Sequence, residues 1–216
     1  MIARVAGTKK QLRALLRAGR SQPGHRAGAP ATARALLATA TSAGILSLDG
    51  RSDTVGPLVL AAYIPSPGEP DVSAICARVQ EAGGRVLLPI PRPGRQLEWG
   101  PDDGQYRRDP SLPVRVPAGP AVAVGAAGLL AQGVQLVLVP ALAVDGTGTR
   151  LGQGGGFYDK LLADLAGTGT RDTPQPRIVG VVHDDELLPA GSIPRMPHDL
   201  PVGRVLTPTR LVDLGT

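Results

Sequence analysis

The chain has 216 residues, of which 42% are hydrophobic and 2% aromatic, with a single cysteine and a formal net charge of +5. This length suits one domain spanning residues 1–216 with a core of aliphatic side chains, and the lone Cys76 excludes an internal disulfide or a multi-cysteine metal site. The arginines are scattered among few aromatic residues, no window is long enough to span a bilayer and no signal-peptide pattern begins the chain, so we expect a cytoplasmic protein that binds neither nucleic acid nor membranes.

The chain begins with two predicted helices separated by a loop. Apolar spacing predicts a basic amphipathic helix over residues 8–18, whose apolar face is formed by Leu12, Leu15 and Leu16. Residues 19–30 are rich in Gly, Pro and Ser and predict a loop. The second helix is expected from about Thr32 to Ser47. We expect this N-terminal helical segment, about residues 8–47, to pack on the core of the domain.

Beyond this segment, apolar runs typical of buried strands alternate with helical patterns. The predicted strands are PLVLAAYIP, RVLLPI, VQLVLVP and RIVGVVH, with short strands at LEWG and at Val205–Thr207. The predicted helices run from a cap at Asp71 to about Ala82, from about Ala126 to Gln132, and over FYDKLLADLA. This alternation predicts an α/β fold, a three-layer α/β/α, Rossmann-like arrangement around a mainly parallel central sheet. Residues 91–119 are otherwise predicted to be irregular, and the loop at 167–176 to be mobile.

A glycine-rich stretch, RLGQGGGFYDK, follows the strand VQLVLVP, and four of the five residues from Gly152 to Gly156 are glycine. It does not match the P-loop pattern, Phe157 occupies the third-glycine position of the dinucleotide fingerprint, and residues 141–151 separate its first glycine from the strand. A glycine-rich turn before a helix nevertheless presents backbone N–H groups to an anion. Because ligands of parallel sheets bind beyond the carboxyl ends of the strands, the stretch predicts an anion site, which Arg150 and Lys160 flank.

Asp159 lies in the first turn of the helix that follows the glycines. A carboxylate at this position complements the helix dipole, a contribution of roughly a few tenths of a kcal/mol. Alternatively, the same carboxylate holds Mg²⁺ against a bound phosphate. The spacing alone favours the first of these two roles.

The segment VQLVLVPALAVDGTGTRLGQGGGFYDKLL resembles the signature of the 5-formyltetrahydrofolate cyclo-ligase family, also called 5,10-methenyltetrahydrofolate synthetases. Three further blocks are similar to that family in the same order: KKQLR, GEPDVSAI and VGVVHDDELLPAGSIPRMPHDLPVGRVLT. The resemblance covers most of the chain, and its glycine block is long and specific. It implies an enzyme that uses ATP and Mg²⁺ to convert a reduced folate, 5-formyltetrahydrofolate, into 5,10-methenyltetrahydrofolate.

The resemblance also implies roles for individual residues. The ATP-binding residues would be Lys9, Arg13, Arg150, Leu151, Gly152, Gln153, Gly154, Gly155, Gly156, Phe157 and Tyr158. The folate would contact Ile64, Glu69, Gln153, Gly154, Gly155, Gly156 and Phe157, with Glu69 accepting hydrogen bonds from the pterin ring. Arg150 and Gln153 would be catalytic, and Asp159 and Asp199 would hold Mg²⁺.

Several of these residues also have a purely structural interpretation. Lys9 and Arg13 suit the solvated face of the first helix, Glu69 suits a turn, and Asp199 suits an Asx-turn beside Pro201. The two histidines of the closing segment, His183 and His198, receive no role.

Departures from the family pattern keep two other functions open. Val144, Gln153, Gly155 and Phe157 replace residues that are common in the family, and Gln153 and Gly155 leave the glycine stretch with less positive charge. One alternative is therefore a non-catalytic relative that binds folate or nucleotide. The other is a transferase or isomerase on a similar α/β sheet, although no glutamate of the chain lies in a catalytic motif of that kind. We expect a monomer in each case.

Overall fold

A computed structural model of the chain describes residues 7–21, 29–46, 57–92, 94, 96–168, 174–196 and 199–215. Its helices are α1 (Lys9–Arg20), α2 (Ala29–Ser42), α3 (Ser73–Glu81), α4 (Gly125–Ala131) and α5 (Phe157–Thr168), with a 3₁₀ turn at Asp184–Glu186. Its strands are β1 (Val59–Ala61), β2 (Arg85–Ile90), β3 (Glu98–Pro101), β4 (Tyr106–Arg108), β5 (Arg115–Pro117), β6 (Ala123–Val124), β7 (Leu136–Pro140), β8 (Ala143–Asp145), β9 (Arg150–Leu151), β10 (Arg177–Val181), β11 (Leu187–Leu188), β12 (Arg204–Leu206) and β13 (Leu211–Asp213). Within the described ranges, no helix combines the length and apolar character needed to cross a bilayer.

The centre of the fold is an eight-stranded sheet in the order β13-β12-β10-β7-β1-β2-β3-β6. The strands from β12 to β2 pair in parallel, whereas β13, β3 and β6 join the two edges in antiparallel pairs. The parallel strands read as continuous apolar runs because helices cover both faces of the sheet. The mainly parallel sheet predicted from the sequence is therefore confirmed.

Two apolar cores, one on each face of the sheet, give the fold its three layers. One core joins the strands to α2 and α3, and the other joins them to α4 and α5. Alternate residues of β7 point to opposite cores, with Leu138 in the first core and Val137 and Val139 in the second. Cys76 of α3 lies buried in the first core, where burial raises the pKa of its thiol to about 12. The cysteine is therefore a small apolar core residue rather than a nucleophile.

Helix α1 packs outside these layers through a narrower apolar face than the sequence predicts. Leu12 and Leu16 are buried against the small sheet formed by β8, β9 and β11, whereas Leu15 is 48% exposed. Residues four apart lie above one another on a helix, so this pair alone is enough for the contact. The prediction that Leu15 belongs to the apolar face is wrong. The helix also continues to Arg20, two residues into the stretch predicted to be a loop.

The boundaries of α2 and α3 also differ from the predictions. Helix α2 begins at Ala29 and ends at Ser42, so it lies earlier in the chain than the predicted range, whose last residue, 47, is outside the described ranges. Asp71 does not cap α3, because its carboxylate accepts the N–H of Ser73 at 2.9 Å in a turn that precedes the helix. The N-cap position is Val72, which makes no side-chain capping bond.

The region predicted to be irregular, residues 91–119, contains more strand than the single LEWG run. Strand β3 is shifted by one residue from that run, and β4 and β5 form a separate antiparallel hairpin with Tyr106 opposite Pro117. Strands of three residues carry too little apolar alternation to be recognised in a sequence. Of the predicted mobile loop at 167–176, the first two residues belong to α5, and residues 169–173 lie outside the described ranges.

Candidate functional site

The glycine loop, residues 152–156, connects β9 to α5 on the side of the sheet where β7 ends. After β7 the chain enters the small sheet, in which β8 pairs antiparallel with β9, so this hairpin and its turn span most of the residues that separate β7 from the glycines. Asp145 stabilises the turn between β8 and β9 by accepting the N–H of Thr147 at 2.9 Å and that of Ile193 at 3.0 Å. The loop therefore projects from a fixed base.

The backbone of the loop requires glycine at particular positions. Gly154 has a φ of +103° and Gly156 a φ of +70°, a region that other residues rarely adopt. A Cβ at Gly152 would lie 2.8 Å from Nη1 of Arg150, so the Arg150 side chain can hold its position only because residue 152 has no side chain. Residues 153–156 are exposed. Their backbone is accessible to a ligand, as an anion site requires.

Two arginines of α1 bind backbone oxygens of the glycine loop. Nε of Arg13 donates to the carbonyl oxygen of Gly152 at 2.9 Å, and Nη2 of Arg17 donates to that of Gln153 at 2.7 Å. Nε of Arg17 also donates to Oε1 of Gln153 at 3.1 Å. The structure therefore brings Arg13, a predicted ATP-binding residue, to the glycine loop. It adds Arg17, which the sequence analysis missed although the two arginines stand four residues apart on one helix face.

Glu69 joins the loop after β1 to the glycine loop. Its Oε1 accepts from Nε2 of Gln153 at 3.1 Å, and its Oε2 accepts the N–H of Ser66 at 3.0 Å. The Glu69 side chain is 9% exposed, so its carboxylate is held in one orientation by neighbours on two different loops. Glu69 and Gln153, which are both predicted to contact the folate, are in direct contact with each other.

A cavity of about 250 Å³ lies between these two loops. One wall is formed by Tyr63, Ile64 and Glu69, and the opposite wall by residues 152–159. Apolar residues close the third side, namely Pro89, Pro91, Leu97, Leu112, Pro113 and Val114. An apolar cleft lined by a carboxylate and by exposed backbone amides suits a flat heterocycle beside an anionic group.

A larger open groove of about 940 Å³ continues from this cavity past the start of α3. The two spaces share Tyr63, Ile64, Ser66, Glu69 and Arg115 as lining residues. The guanidinium of Arg115 lies over the ring of Tyr106, 4.8 Å from its centroid. The glycine loop does not line this groove, so the smaller cavity is the space that most of the predicted site residues border.

Tyr158 borders this cavity and has a buried hydroxyl group. The hydroxyl oxygen is buried and has no hydrogen-bond partner among the residues that the structure describes. Burial and the charge of Glu69 raise the pKa of Tyr158, and the charge of Arg150 opposes them only in part. The hydroxyl therefore stays protonated at neutral pH and can donate a hydrogen bond to a ligand.

Arg150 and Asp159 form an ion pair at the end of the glycine loop. The side chain of Arg150 is buried and that of Asp159 is 38% exposed, and both residues border the cavity. The pair uses Oδ1 of Asp159, and within the described part of the chain Oδ2 has no hydrogen-bond partner. Asp159 thus has a carboxylate oxygen available to a cation beside the glycine loop.

Lys9 and Asp199 form a second ion pair, away from the wall of the cavity. Asp199 is buried and also accepts the N–H of Met196 at 2.6 Å. The pair connects the first residue of α1 to the segment before β12. Among the described residues, no cluster of three or more acidic, histidine or cysteine side chains forms a ready metal site. A cation at Asp159 would therefore need ligands from a bound phosphate, as Mg²⁺ commonly does.

Comparison with known proteins identifies the family. Residues 7–208 match the model of the 5-formyltetrahydrofolate cyclo-ligase family. The chain belongs to this family. A 5-formyltetrahydrofolate cyclo-ligase of Mycolicibacterium smegmatis is 38% identical over 167 residues, which cover 70% of this chain and 74% of that protein. The cyclo-ligase of Escherichia coli is 29% identical over 175 residues, covering 74% and 86%.

Solved structures support the fold of the cyclo-ligase family for this chain. The NMR structure of Aquifex aeolicus 5,10-methenyltetrahydrofolate synthetase matches with a TM-score of 0.68 at 20% identity, covering 96% of this chain and 93% of that chain. At this level of identity the match concerns the fold. The family resemblance and the fold class predicted from the sequence are both confirmed.

The cyclo-ligase fold brings most of the predicted site residues together. Ile64, Glu69, Arg150 and residues 152–159 surround one cavity, with Arg13 holding the glycine loop from behind. Leu151 is buried in the small sheet, and Lys9 and Asp199 lie outside the cavity wall. His183, left without a role by the sequence analysis, contacts the carbonyl oxygen of Gly68 at 3.1 Å through Nε2. His198 lies outside the described residues.

Proposed function

We propose that this chain is a 5-formyltetrahydrofolate cyclo-ligase that uses ATP to form 5,10-methenyltetrahydrofolate. One observation carries the proposal beyond family membership. The glycine loop and Glu69, which the family resemblance assigns to ATP and to the folate, border the same cavity and are joined by the Gln153–Glu69 hydrogen bond. A reaction between the two substrates requires this proximity.

The proposed reaction has two steps. The formyl oxygen of 5-formyltetrahydrofolate attacks the γ-phosphorus of ATP, and ADP leaves. N10 of the folate then attacks the former formyl carbon of the resulting iminium phosphate and gives up its proton. The C–O bond to phosphate breaks, and loss of inorganic phosphate leaves the methenyl bridge. Phosphoryl transfer of this kind needs positioning and charge neutralisation more than it needs a side-chain nucleophile.

The folate side of the cavity supplies a carboxylate and an apolar cleft. Glu69 would accept hydrogen bonds from the amino and ring N–H groups of the pterin, between Ile64 and the proline-rich wall. The free hydroxyl of Tyr158 would donate to an acceptor on either substrate. The remainder of the bound folate would extend along the open groove past Arg115.

The nucleotide side supplies backbone amides and the N-terminus of α5. Anions bind to such a helix start because its first N–H groups have no partners within the helix. Arg13 and Arg17 would orient the loop by holding its carbonyl oxygens away from the phosphates. Arg150 would neutralise phosphate charge from beneath the loop, and Gln153 would keep the loop in register with Glu69.

Mg²⁺ is part of the same proposal. Asp159 fits the ion because Oδ2 is available at the glycine loop. Asp199 would join it only by releasing Lys9. The ion would neutralise the phosphates of the nucleotide, which is its usual contribution to phosphoryl transfer. We also propose that the enzyme works as a monomer in the cytoplasm without nucleic-acid or membrane partners, since both substrates are small diffusible molecules.

The proposal is tested by mixing purified protein with 5-formyltetrahydrofolate, ATP and Mg²⁺ and following the near-UV absorbance of the methenyl product. We expect a signal that disappears when any one component is omitted. Absence of the signal, with ATP binding retained in a titration, would favour a non-catalytic relative. Absence of both would contradict the role of the glycine loop.

A further inference from the structure

Arg20, the last residue of α1, is buried and binds two distant parts of the chain. Its side chain is 5% exposed, and it forms a two-point ion pair with Glu186, with Nε to Oε1 at 2.7 Å and Nη2 to Oε2 at 2.9 Å. Nη2 also donates to the carbonyl oxygen of Ala141 at 2.6 Å, just after β7. Such paired geometry fixes the plane of a guanidinium.

The third nitrogen of this guanidinium points toward the proposed folate site. Nη1 of Arg20 is buried, has no hydrogen-bond partner among the described residues and lies 3.8 Å from Oε1 of Glu69. Burial alone lowers the pKa of Arg20, but the hydrogen bonds and charge of Glu186 and the charge of Glu69 outweigh it and raise the pKa overall. Arg20 is therefore a permanent cation beside the Glu69 carboxylate.

The loop that carries Glu69 is also packed onto Arg20. Gly68 has a φ of +81°, and a Cβ there would lie 3.0 Å from Cβ of Arg20, so the glycine lets the loop backbone touch the arginine stem. On the other side, Nε2 of His183 contacts the carbonyl oxygen of Gly68, while the N–H of His183 donates to Oε2 of Glu186 at 3.0 Å. Arg20, Glu186 and His183 thus enclose the loop.

We propose that Arg20, held in place by Glu186, is a positioning residue that keeps the Glu69 carboxylate oriented toward the folate. The inference rests on the function proposed above and extends it to residues that do not border the cavity. A buried carboxylate without a nearby cation carries an uncompensated desolvation cost. The hydrogen bonds from Ser66 and Gln153 are neutral, so Arg20 supplies the positive charge nearest to Glu69 among its described contacts.

The test compares Arg20→Met with Arg20→Lys in the complete chain. For Arg20→Met we expect the KM for 5-formyltetrahydrofolate to rise about tenfold, with the KM for ATP changing less than about twofold. Arg20→Lys, which keeps the charge, should restore most of the folate affinity. Arg204→Gln is the matched control, because it removes an exposed arginine–aspartate pair at the far end of the sheet.

A double-variant cycle separates positioning from general stabilisation. In a Glu69→Gln background, adding Arg20→Met should weaken folate binding in a titration by less than about twofold, because the carboxylate it serves is absent. If the double variant loses folate affinity by the product of the two single losses, the inference is overturned. An unchanged folate KM in a folded Arg20→Met enzyme would also overturn it. If Arg20→Met fails to fold, Glu186→Gln with the same cycle gives the same two outcomes. An inactive wild-type protein would instead contradict the proposed function.

Discussion

The two loops that border the cavity are built in opposite ways. The loop carrying Glu69 is enclosed, with Tyr63 3% exposed and its hydroxyl donating to the carbonyl oxygen of Pro70 at 2.7 Å. The glycine loop is exposed from Gln153 to Gly156, and its contacts with α1 are made through long arginine side chains. One wall is held by the interior of the protein, whereas the other is held by arginines of α1 and by the Gln153–Glu69 hydrogen bond.

This difference matches the demands of the two proposed substrates. A pterin ring is recognised by fixed hydrogen-bond acceptors in an apolar cleft, and such a site discriminates strongly because its polar group is left unpaired by the wrong ring. Phosphates are recognised by many backbone amides that a bound anion can order. We expect substitutions in the enclosed wall to affect the folate alone, and those around the glycine loop to affect the nucleotide.

The largest expected effect is that of Asp159→Asn. Turnover should fall by more than about tenfold, and the Mg²⁺ concentration for half-maximal rate should rise, because the amide is a poorer ligand than the carboxylate. Steady-state rates over a Mg²⁺ titration measure both. Asp164→Asn on the same helix is the control, since Asp164 contacts Lys160 and Gln96, neither of which borders the cavity. Normal turnover in Asp159→Asn would remove this residue from the magnesium site.

Glu69→Gln should have the next largest effect, and this effect should concern the folate wall and not the nucleotide wall. The amide keeps the size of the side chain but replaces one acceptor with a donor, so the KM for 5-formyltetrahydrofolate should rise about tenfold. The KM for ATP should change little. Glu81→Gln, at the exposed end of α3, controls for the loss of a negative charge. Equal effects on both substrates would contradict the assignment of separate walls.

Arg17→Gln should give a smaller effect on the opposite wall. Removing the donor to the carbonyl oxygen of Gln153 loosens the glycine loop, so the KM for ATP should rise about threefold while the folate KM changes less. Arg34→Gln on the exposed side of α2 removes the same charge without touching the loop. If the two variants behave alike, Arg17 does not orient the loop.

The smallest effect concerns Cys76, which lines the groove behind the enclosed wall. A pKa raised to about 12 means that the thiol, not the thiolate, is present in the folded protein at pH 8. Labelling by a thiol reagent at pH 8 should therefore be slow in the native protein and fast after unfolding in guanidinium. Rapid native labelling would show that this wall opens.

The same contrast explains what the sequence could reveal. The glycine loop, β2 and β7 are each formed by residues that are adjacent in the sequence, so glycine content and apolar runs identify them directly. Helix α5 follows from an unbroken apolar pattern after the glycines. The position of the glycine loop after β7 and before α5 was therefore predictable, whereas its contact with Arg17 was not.

The enclosed wall depends on pairings between distant residues, which no local pattern contains. Arg20 and Glu186 lie at opposite ends of the chain, and the Gln153–Glu69 hydrogen bond joins separate loops. The role of Glu69 was inferred only from the family resemblance, and Arg20 fell in a stretch predicted to be a loop. The hairpin of β4 and β5 was also too short to be recognised in the sequence.

The most direct test of the central claim follows the formyl oxygen. 5-Formyltetrahydrofolate labelled with ¹⁸O in the formyl group is incubated with the enzyme, ATP and Mg²⁺, and the released phosphate is analysed by mass spectrometry. If the formyl oxygen attacks the γ-phosphorus, each phosphate released with a methenyl product carries one ¹⁸O. Unlabelled phosphate released alongside the methenyl product would contradict phosphoryl transfer to the folate in this cavity.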